Sequence, residues 1–193
     1  MTRLAAAQEL RPMWVFGYGS LIWNLGFEVA ERRIARAHGY RRAFCMLSIH
    51  HRGTEEDPGL VLALDHDTPA PGSQAEPRSC DGVAFRVAPG AEAETLAALR
   101  TRELVSSAYR EEITPLRTRD GDTVHALSYV VDRDHRQYVG DLSLEEQAIM
   151  IARAHGGRGP NSEYLWNTAS HLAELGISDP ELEWLAERVK SLA

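Results

Sequence analysis

The stretch VFGYGSLIW, residues 15–23, places two glycines, a tyrosine and a serine between two apolar segments. Together with Met13 and Trp14 before it, the stretch predicts a short buried strand that ends at Gly17. Gly17 and Gly19 permit close contacts that a side chain would prevent, and exposed N–H groups in such a loop can bind an anion or an oxyanion. A tight turn between strands accounts for the same residues, so the stretch alone leaves ligand binding open.

Strand patterns continue through most of the first 130 residues. Four further strand regions are predicted: residues 32–47 with a turn at Gly39, residues 59–65, residues 81–88, and the two runs beside the hairpin signal Asp120-Gly121-Asp122. Residues 66–80 are rich in proline, glycine and serine, which predicts a variable surface loop.

Helical patterns appear once among the strands and then fill the end of the chain. Residues 89–104 are rich in alanine, with leucines one turn apart. Three more helical segments follow: residues 143–157, 160–176 and 179–193. Ser143 and Glu146 have the spacing of a capping box, and Gly156-Gly157 favours a helix end.

This order of elements predicts an α+β fold with a curved, mostly non-parallel sheet or barrel. The chain has 193 residues, 44% of them hydrophobic, which suits a single domain over residues 1–193 with one core.

Composition and charge argue against several classes of function. The net charge of −7 argues against nucleic acid as a partner, and no apolar run approaches the roughly 18 residues that a membrane helix needs. Glu9 and Arg11 interrupt the N-terminal segment, which argues against a signal peptide and for a cytoplasmic location. Cys45 and Cys80 have no metal or redox spacing and are expected to be buried thiols in a reducing compartment.

The basic residues are unevenly distributed. Residues 1–50 contain seven arginines against three acidic residues, and the rest of the chain is acidic. This sector either binds a small anionic substrate or is a solvated arginine face. Lys190 is the single lysine, which excludes Schiff-base catalysis and a Walker-type phosphate loop. Leu21-Ile22 after Ser20 does not fit a nucleophile elbow.

Glu103 is a charged residue at a position where the helix dipole is unfavourable to it. It falls in the last turn of the helix predicted at residues 89–104, where the helix dipole disfavours a carboxylate by roughly 0.3–1 kcal/mol. Such broken rules are expected at functional sites, and the same field with partial burial predicts a raised pKa, suited to a general acid or base. The simpler alternative is an exposed glutamate paired with Arg100 or Arg102.

Other candidate chemistry is weaker. The eight histidines include no pair with helical metal-ligand spacing, and no metal site is predicted. Cys45 is expected to be a core thiol rather than a nucleophile with His50 or His51 as its base. Residues 156–167, GGRGPNSEYLWN, lead into a helix that Asn161 or Ser162 would cap, with N–H groups suited to an anion.

Five segments carry a resemblance to a known family. They are WVFGYGSLIW (14–23), YRRAF (40–44), HRG (51–53), TRELVSSAYR (101–110) and GPNSEYL (159–165). In this order they resemble the ChaC-type, glutathione-specific γ-glutamylcyclotransferases over roughly residues 13–175. The chain departs from the family at residues 66–80, a longer loop than the family needs, and at NSEYL, where a form such as NTEYL is expected.

The resemblance implies an enzyme that cleaves glutathione into 5-oxoproline and cysteinylglycine, on a small mixed β-barrel with helices packed outside. The α-amino group of the substrate attacks its own γ-amide carbonyl, so the reaction implies no water, metal or other cofactor. Because nucleophile and electrophile belong to one molecule, holding them in a reactive geometry supplies much of the rate.

The motifs also imply roles for individual residues. Glu103 matches the catalytic glutamate, a base toward the α-ammonium and then an acid toward the leaving nitrogen. The implied substrate-binding residues are Val15, Phe16, Gly17, Tyr18, Gly19, Ser20 and Leu21, together with Tyr109 and Tyr164. Arg42, Arg52 and Asn161 are further candidates for contacts with substrate carboxylates, argued mainly from charge.

Two rival functions stay open on the sequence. A cyclotransferase for other γ-glutamyl amines recognises the same γ-glutamyl half of the substrate. A non-catalytic regulator of cation transport would bind an anionic metabolite or a transporter, but it would gain nothing from Glu103 at a helix end. The sequence predicts no oligomeric state.

Overall fold

The computed structural model describes residues 12–69, 72–140 and 142–192. Glu9 and Arg11, on which the expectation against a signal peptide rests, lie outside these ranges, as do residues 70 and 71 of the predicted surface loop. Within the described ranges, no helix is long and apolar enough to cross a membrane.

Seven strands form the main sheet of the described chain. They are β1 (Trp14–Gly17), β2 (Val29–His38), β3 (Tyr40–Ser48), β4 (Gly59–His66), β5 (Ser79–Val87), β6 (Tyr109–Thr118) and β7 (Thr123–Val131). Their order across the sheet is β1-β5-β2-β6-β7-β4-β3, and β1 also pairs with β7. That extra pairing closes β1, β5, β2, β6 and β7 into a five-stranded barrel, from which β4 and β3 extend.

Closure of the barrel depends on the short strand β1. It pairs with β5 in antiparallel fashion, with Phe16 opposite Ala84, and with β7 in parallel, with Trp14 opposite Ala126. Trp14 and Phe16 belong to an apolar cluster that draws residues from all five barrel strands. Val15, between them, belongs to a second cluster with the helix that follows β5. The continuous apolar run therefore reflects a strand that is covered on both faces.

Strands β3 and β4 form an antiparallel ribbon beside β7. The ribbon joins the barrel where β4 runs parallel to β7, with Leu64 opposite Val130. The predicted turn at Gly39 is present, with a φ of +78° that glycine adopts without strain. Strand β2 lies between β5 and β6, whereas β3 pairs with β4, so the chain passes from the barrel to the ribbon at this turn.

Four α-helices of the described chain cover the sheet: α1 (Glu92–Glu103), α2 (Leu144–Arg153), α3 (Asn161–Glu174) and α4 (Pro180–Leu192). The last three pack on the ribbon in one apolar cluster that includes Leu60, Ile151 and Leu165. The predicted capping box begins α2, because Ser143 Oγ accepts from the N–H of Glu146 at 3.3 Å and the N–H of Ser143 donates to Glu146 Oε2 at 2.8 Å.

The helix end predicted at Gly156-Gly157 is wrong. Helix α2 ends at Arg153, because the next residue already has an extended backbone. Gly156 belongs instead to the two-residue strand β8 (His155–Gly156), which pairs with β9 (Gly159–Pro160). A Cβ at position 156 would lie 2.5 Å from the backbone nitrogen of Gly53, so glycine is needed there for a close backbone contact.

Candidate active site

A cleft of about 240 Å³ opens beside the end of β1. Its wall combines the glycine loop, the C-terminal end of α1, the loop after β3, and the start of α3 with the hairpin before it. The predicted site residues that line it are Tyr18, Gly19, Ser20, Leu21, Arg52, Glu103, Tyr109 and Tyr164. Segments far apart in the sequence thus meet at one cavity.

The two glycines of the loop lie close to different neighbours, which would contact a Cβ at each position. A Cβ at position 17 would lie 2.7 Å from the ring of Phe85 on β5. A Cβ at position 19 would lie 3.2 Å from Tyr164 Oη, a residue of the cleft wall. Gly17 therefore allows strand packing, whereas Gly19 keeps the backbone bare toward the cleft.

Backbone N–H groups of this loop are available to a ligand. After β1 the chain makes a one-turn 3-10 helix, Ser20–Ile22, whose first hydrogen bond runs from the N–H of Ile22 to Gly19 O at 2.9 Å. The N–H groups of Gly19 and Ser20 precede that bond and have no acceptor within the helix. Gly19 and Ser20 are among the substrate-binding residues that the family resemblance implies.

Glu103 is the last residue of α1, as predicted, and its side chain is 19% exposed. Burial raises the pKa of its carboxyl group, and the nearby guanidinium groups of Arg102 and Arg158 offset part of that rise. The direction agrees with the sequence expectation, with burial as the main cause. A carboxyl group shifted in this direction is suited to accept and return a proton near neutral pH.

Arg102 links this carboxylate to the glycine loop. Its Nε lies 3.0 Å from Glu103 Oε1, its Nη2 donates to Ser20 Oγ at 2.8 Å, and its Nη1 donates to Asn24 O at 2.5 Å. The ion pair of the simpler alternative is therefore present, but it lies in the cleft rather than at an exposed helix end. One side chain holds the carboxylate and the loop together.

Four tyrosines line the cleft around this carboxyl group: Tyr18, Tyr109, Tyr129 and Tyr164. Burial raises the pKa of each, and the charge of Glu103 raises it further, so the hydroxyl groups stay protonated. Sequence reasoning missed Tyr129, because in the middle of an apolar strand it has the pattern of an ordinary core aromatic residue.

The hydroxyl groups differ in their existing partners. Tyr18 Oη donates to Tyr129 O at 2.7 Å, and Tyr109 Oη donates to Leu62 O at 3.2 Å. Tyr164 Oη accepts from the N–H of Leu62 at 3.3 Å, and no acceptor for its own proton is found within the described residues. Tyr164 is therefore the tyrosine that can donate to a ligand without losing a bond.

Five predicted site residues do not line the cleft: Val15, Phe16, Gly17, Arg42 and Asn161. Val15 and Phe16 are fully buried in the apolar clusters on the two faces of β1. They position the loop by anchoring the strand before it.

Arg42 and Asn161 have protein partners in place of the predicted substrate carboxylates. Arg42 is buried, and it donates from Nε to Tyr18 O and from Nη1 to Asp179 Oδ2, each at 2.6 Å. Asn161 Oδ1 accepts from the N–H of Leu60, and its Nδ2 donates to Leu60 O, each at 2.7 Å, so it extends the edge of β4 instead of capping α3. Buried polar groups need partners, and charge alone did not reveal which.

The two cysteines also lie outside the cleft. Cys45 and Cys80 are buried and form no disulfide bond, and burial raises the pKa of Cys80 to about 11. Across the described ranges, no three His, Cys, Asp or Glu side chains are grouped so that they could hold a metal ion.

The mouth of the cleft is basic. Arg52 lines the cleft, as the sequence suggested, but is itself buried, and its Nη1 donates to Pro160 O at 3.0 Å. His51 and Arg158 line the same mouth, although no sequence pattern singled out Arg158. Burial lowers the pKa of His51, and the positive charge of Arg158 lowers it further. The cleft therefore favours an anionic ligand.

A known protein family matches the part of the chain that contains all of these elements. The family model described as ChaC-like protein matches residues 13–192. The chain belongs to the ChaC-like family. The resemblance carried by the five sequence motifs is thereby confirmed.

Relatives in the ChaC-like family match over most of their length. The glutathione-specific gamma-glutamylcyclotransferase of Escherichia coli K12 is 34% identical over 189 residues, covering 98% of this chain and 78% of that protein. Gamma-glutamylcyclotransferase 2-3 of Arabidopsis thaliana is 33% identical over 186 residues, covering 93% of this chain and 89% of that protein.

A solved structure confirms the fold class. The crystal structure of a yeast γ-glutamylcyclotransferase specific to glutathione has a TM-score of 0.82 at 25% identity, covering 93% of this chain and 96% of that one. The α+β fold, a mixed barrel with helices outside it, is thus shared within the ChaC-like family.

Proposed function

We propose that this protein is a glutathione-specific γ-glutamylcyclotransferase that converts glutathione to 5-oxoproline and cysteinylglycine. The observation that carries the proposal is the buried carboxyl group of Glu103, with its raised pKa, in one cleft with the bare backbone at Gly19. The similar enzymes of E. coli and yeast are both described as specific for glutathione, which supports the choice of substrate.

The first task of such an enzyme is to make the nucleophile. The α-amino group of glutathione is an ammonium group at neutral pH, and Glu103 takes one proton from it. The freed nitrogen then attacks the γ-carbonyl carbon of the same molecule. Because the reaction is intramolecular, a cleft that holds the two groups in contact supplies much of the rate enhancement.

The second task is to stabilise the oxygen that becomes negative on attack. The N–H groups of Gly19 and Ser20 have no acceptor within their helical turn, and the hydroxyl proton of Tyr164 is uncommitted within the described residues. Donors that are already in place lower the barrier without reorganisation. We assign these three groups to the developing oxyanion.

The third task is to release the dipeptide. The bond between the γ-carbon and the cysteinyl nitrogen breaks as Glu103 returns its proton to that nitrogen. Glu103, again a base, accepts the second proton from the ring nitrogen and passes it on to the amine. Two protons leave the α-nitrogen and two reach the cysteinyl nitrogen, so the two products contain all the atoms of glutathione.

The proposed location is the cytoplasm, and the proposed partner is the small-molecule substrate. The support for this location is chemical: Cys45 and Cys80 form no disulfide bond, as is usual in a reducing compartment.

The decisive experiment measures release of 5-oxoproline from a panel of γ-glutamyl compounds. We expect purified protein to act on glutathione without added cofactor, and with a higher kcat/KM than on γ-glutamyl amino acids or γ-glutamyl-lysine. Faster release from another member of the panel would overturn the glutathione specificity but keep the chemistry. Release from none would overturn the enzymatic assignment and favour a metabolite-binding regulator.

A further inference from the structure

The cleft contains more positive charge than ring closure uses. Three arginines and one carboxylate line it: Arg52, Arg102, Arg158 and Glu103. Arg102 pairs with Glu103 at 3.0 Å, and Arg52 pairs with Glu163 at 3.2 Å. The guanidinium group of Arg158 has neither a hydrogen bond nor an ion pair with any residue that the structure describes.

The backbone of Arg158 is held firmly, although its side chain is exposed. Its N–H donates to His51 O, and the N–H of Gly157 donates to His50 O, each at 2.8 Å. Gly156 packs directly against the backbone of the same histidine loop. The guanidinium group therefore extends from a fixed point at the mouth of the cleft.

Arg158 also lies within electrostatic range of the reacting end of the cleft. Its charge opposes the rise in the pKa of Glu103 and adds to the fall in the pKa of His51. Glu103 is mostly buried, whereas Arg158 is exposed. The two groups thus mark an inner and an outer end of one binding site.

The leaving half of glutathione ends in a carboxylate. Two residues of extended chain separate that carboxylate from the γ-carbonyl carbon, a distance of about 7 Å. Because the γ-glutamyl half must reach Glu103 and the glycine loop, the leaving half extends toward the mouth. A guanidinium group binds a carboxylate through two parallel hydrogen bonds, and Arg158 is the cation there that has no other partner among the described residues.

Resting on the proposed function, we propose that Arg158 binds the C-terminal carboxylate of the leaving dipeptide. It thereby sets a preference for glutathione over γ-glutamyl compounds with no carboxylate at that distance. No bond to this carboxylate changes during ring closure, so the contact is equal in the substrate and the transition state. This contact therefore lowers KM and does not itself change kcat.

A variant-by-substrate experiment tests this role. Arg158→Gln is compared with the wild type on glutathione and on its glycyl ethyl ester, which lacks the terminal charge. We expect the KM for glutathione to rise about tenfold and the KM for the ester to stay unchanged, with any change in kcat the same for both substrates. Arg158→Lys is expected to retain part of the preference. The matched control is Arg153→Gln, an exposed arginine that pairs with Asp57 at 2.9 Å outside the cleft, and it should match the wild type.

A binding measurement separates this inference from the proposed function. In a Glu103→Gln background, calorimetry should show glutathione bound about tenfold more weakly after Arg158→Gln, and the ester bound equally well. An equal loss for both ligands, or no loss for glutathione, overturns the role of Arg158 even if the protein is an active cyclotransferase. A panel in which glutathione ranks below another substrate overturns the proposed function, while a selective loss in binding still supports the role of Arg158.

Discussion

Glu103 and Asp65 are both carboxylates withdrawn from solvent, yet their pKa values shift in opposite directions. Glu103 lies in the cleft, where burial raises its pKa more than Arg102 and Arg158 lower it. Asp65 lies at the end of β4 in the ribbon. Burial alone would raise its pKa too, but hydrogen bonds from two arginines outweigh burial and lower it.

The difference comes from the number of donors that each carboxylate receives. Asp65 accepts from Arg133 Nε at 2.7 Å, from Arg41 Nη2 at 2.8 Å and from Tyr138 Oη at 3.3 Å. Glu103 has one ion-pair contact among the described residues, and the hydroxyl groups of Tyr18 and Tyr109 donate to backbone carbonyls instead. A carboxylate with few donors can change its charge during a reaction, whereas a saturated one stays ionised and stabilises the fold.

The largest expected effect is on turnover. Glu103→Gln should lower kcat by about 10³-fold, because the amide cannot accept and return a proton, while glutathione binding stays close to the wild type and the thermal midpoint does not fall. Rates of 5-oxoproline release and calorimetric binding check both halves of this expectation. Glu94→Gln, an exposed change on the same helix, is the control, and near-normal turnover of Glu103→Gln would remove the assigned catalytic role.

The matching change in the ribbon should affect stability instead. Asp65→Asn removes the buried negative charge that Arg41 and Arg133 share, so we expect the free energy of unfolding to fall by about 3 kcal/mol. Urea unfolding measures the loss, and kcat of the folded fraction should stay near normal. The carboxylate of Asp122 is 65% exposed and pairs with Arg33. Asp122→Asn breaks this pair and should lower the free energy of unfolding by about 1 kcal/mol or less. Equal losses for the two variants would contradict the distinction.

Local patterns in the sequence account for most of the elements and for the catalytic candidate. The apolar run of β1, the capping box of α2 and the position of Glu103 at a helix end are all properties of a few neighbouring residues. Closure of the barrel is different, because it depends on the parallel pairing of Trp14 with Ala126. No local pattern specifies a contact over such a sequence distance.

The same limit applies to the predicted site residues that do not line the cleft. Arg42 and Asn161 have the charge or polarity of ligands for a carboxylate, but both are buried and bond to the backbone of distant strands or loops. No sequence pattern marks Arg158 as a candidate ligand. It stands out only in the folded protein, where the other arginines of the cleft have partners among the described residues. The number of hydrogen-bond and ion-pair partners of a charged group depends on the folded chain. The same number distinguishes Glu103 from Asp65.

An intermediate effect should follow from removing the single ion-pair contact that Glu103 makes among the described residues. Arg102 is the largest influence that lowers the pKa of this carboxyl group. Arg102→Gln should therefore move the acidic limb of the kcat/KM profile to higher pH and lower kcat/KM about tenfold near neutral pH. Arg100 lies on the same helix as Arg102 and pairs with Glu111 of β6 at 2.8 Å. Arg100→Gln, which breaks this exposed pair, should leave the profile in place. A loss of activity without a shift of the limb would mean that Arg102 only supports the loop.

The smallest expected effect is a pair of opposite pH dependences in stability. The folded-state pKa of Asp65 is lowered, so its contribution is complete above the unfolded-state value of about 3.9 and is lost as the pH falls through the folded value. The folded-state pKa of Glu103 is raised, so wild-type stability should fall relative to Glu103→Gln as the pH rises from about 4.3 through the folded value. Urea unfolding from pH 3 to 8 should show the Asp65→Asn difference shrinking toward acid and the Glu103→Gln difference growing toward neutral pH. The same direction for both would mean that the cleft carboxylate is as well neutralised as the ribbon one, and would contradict its role as a proton carrier.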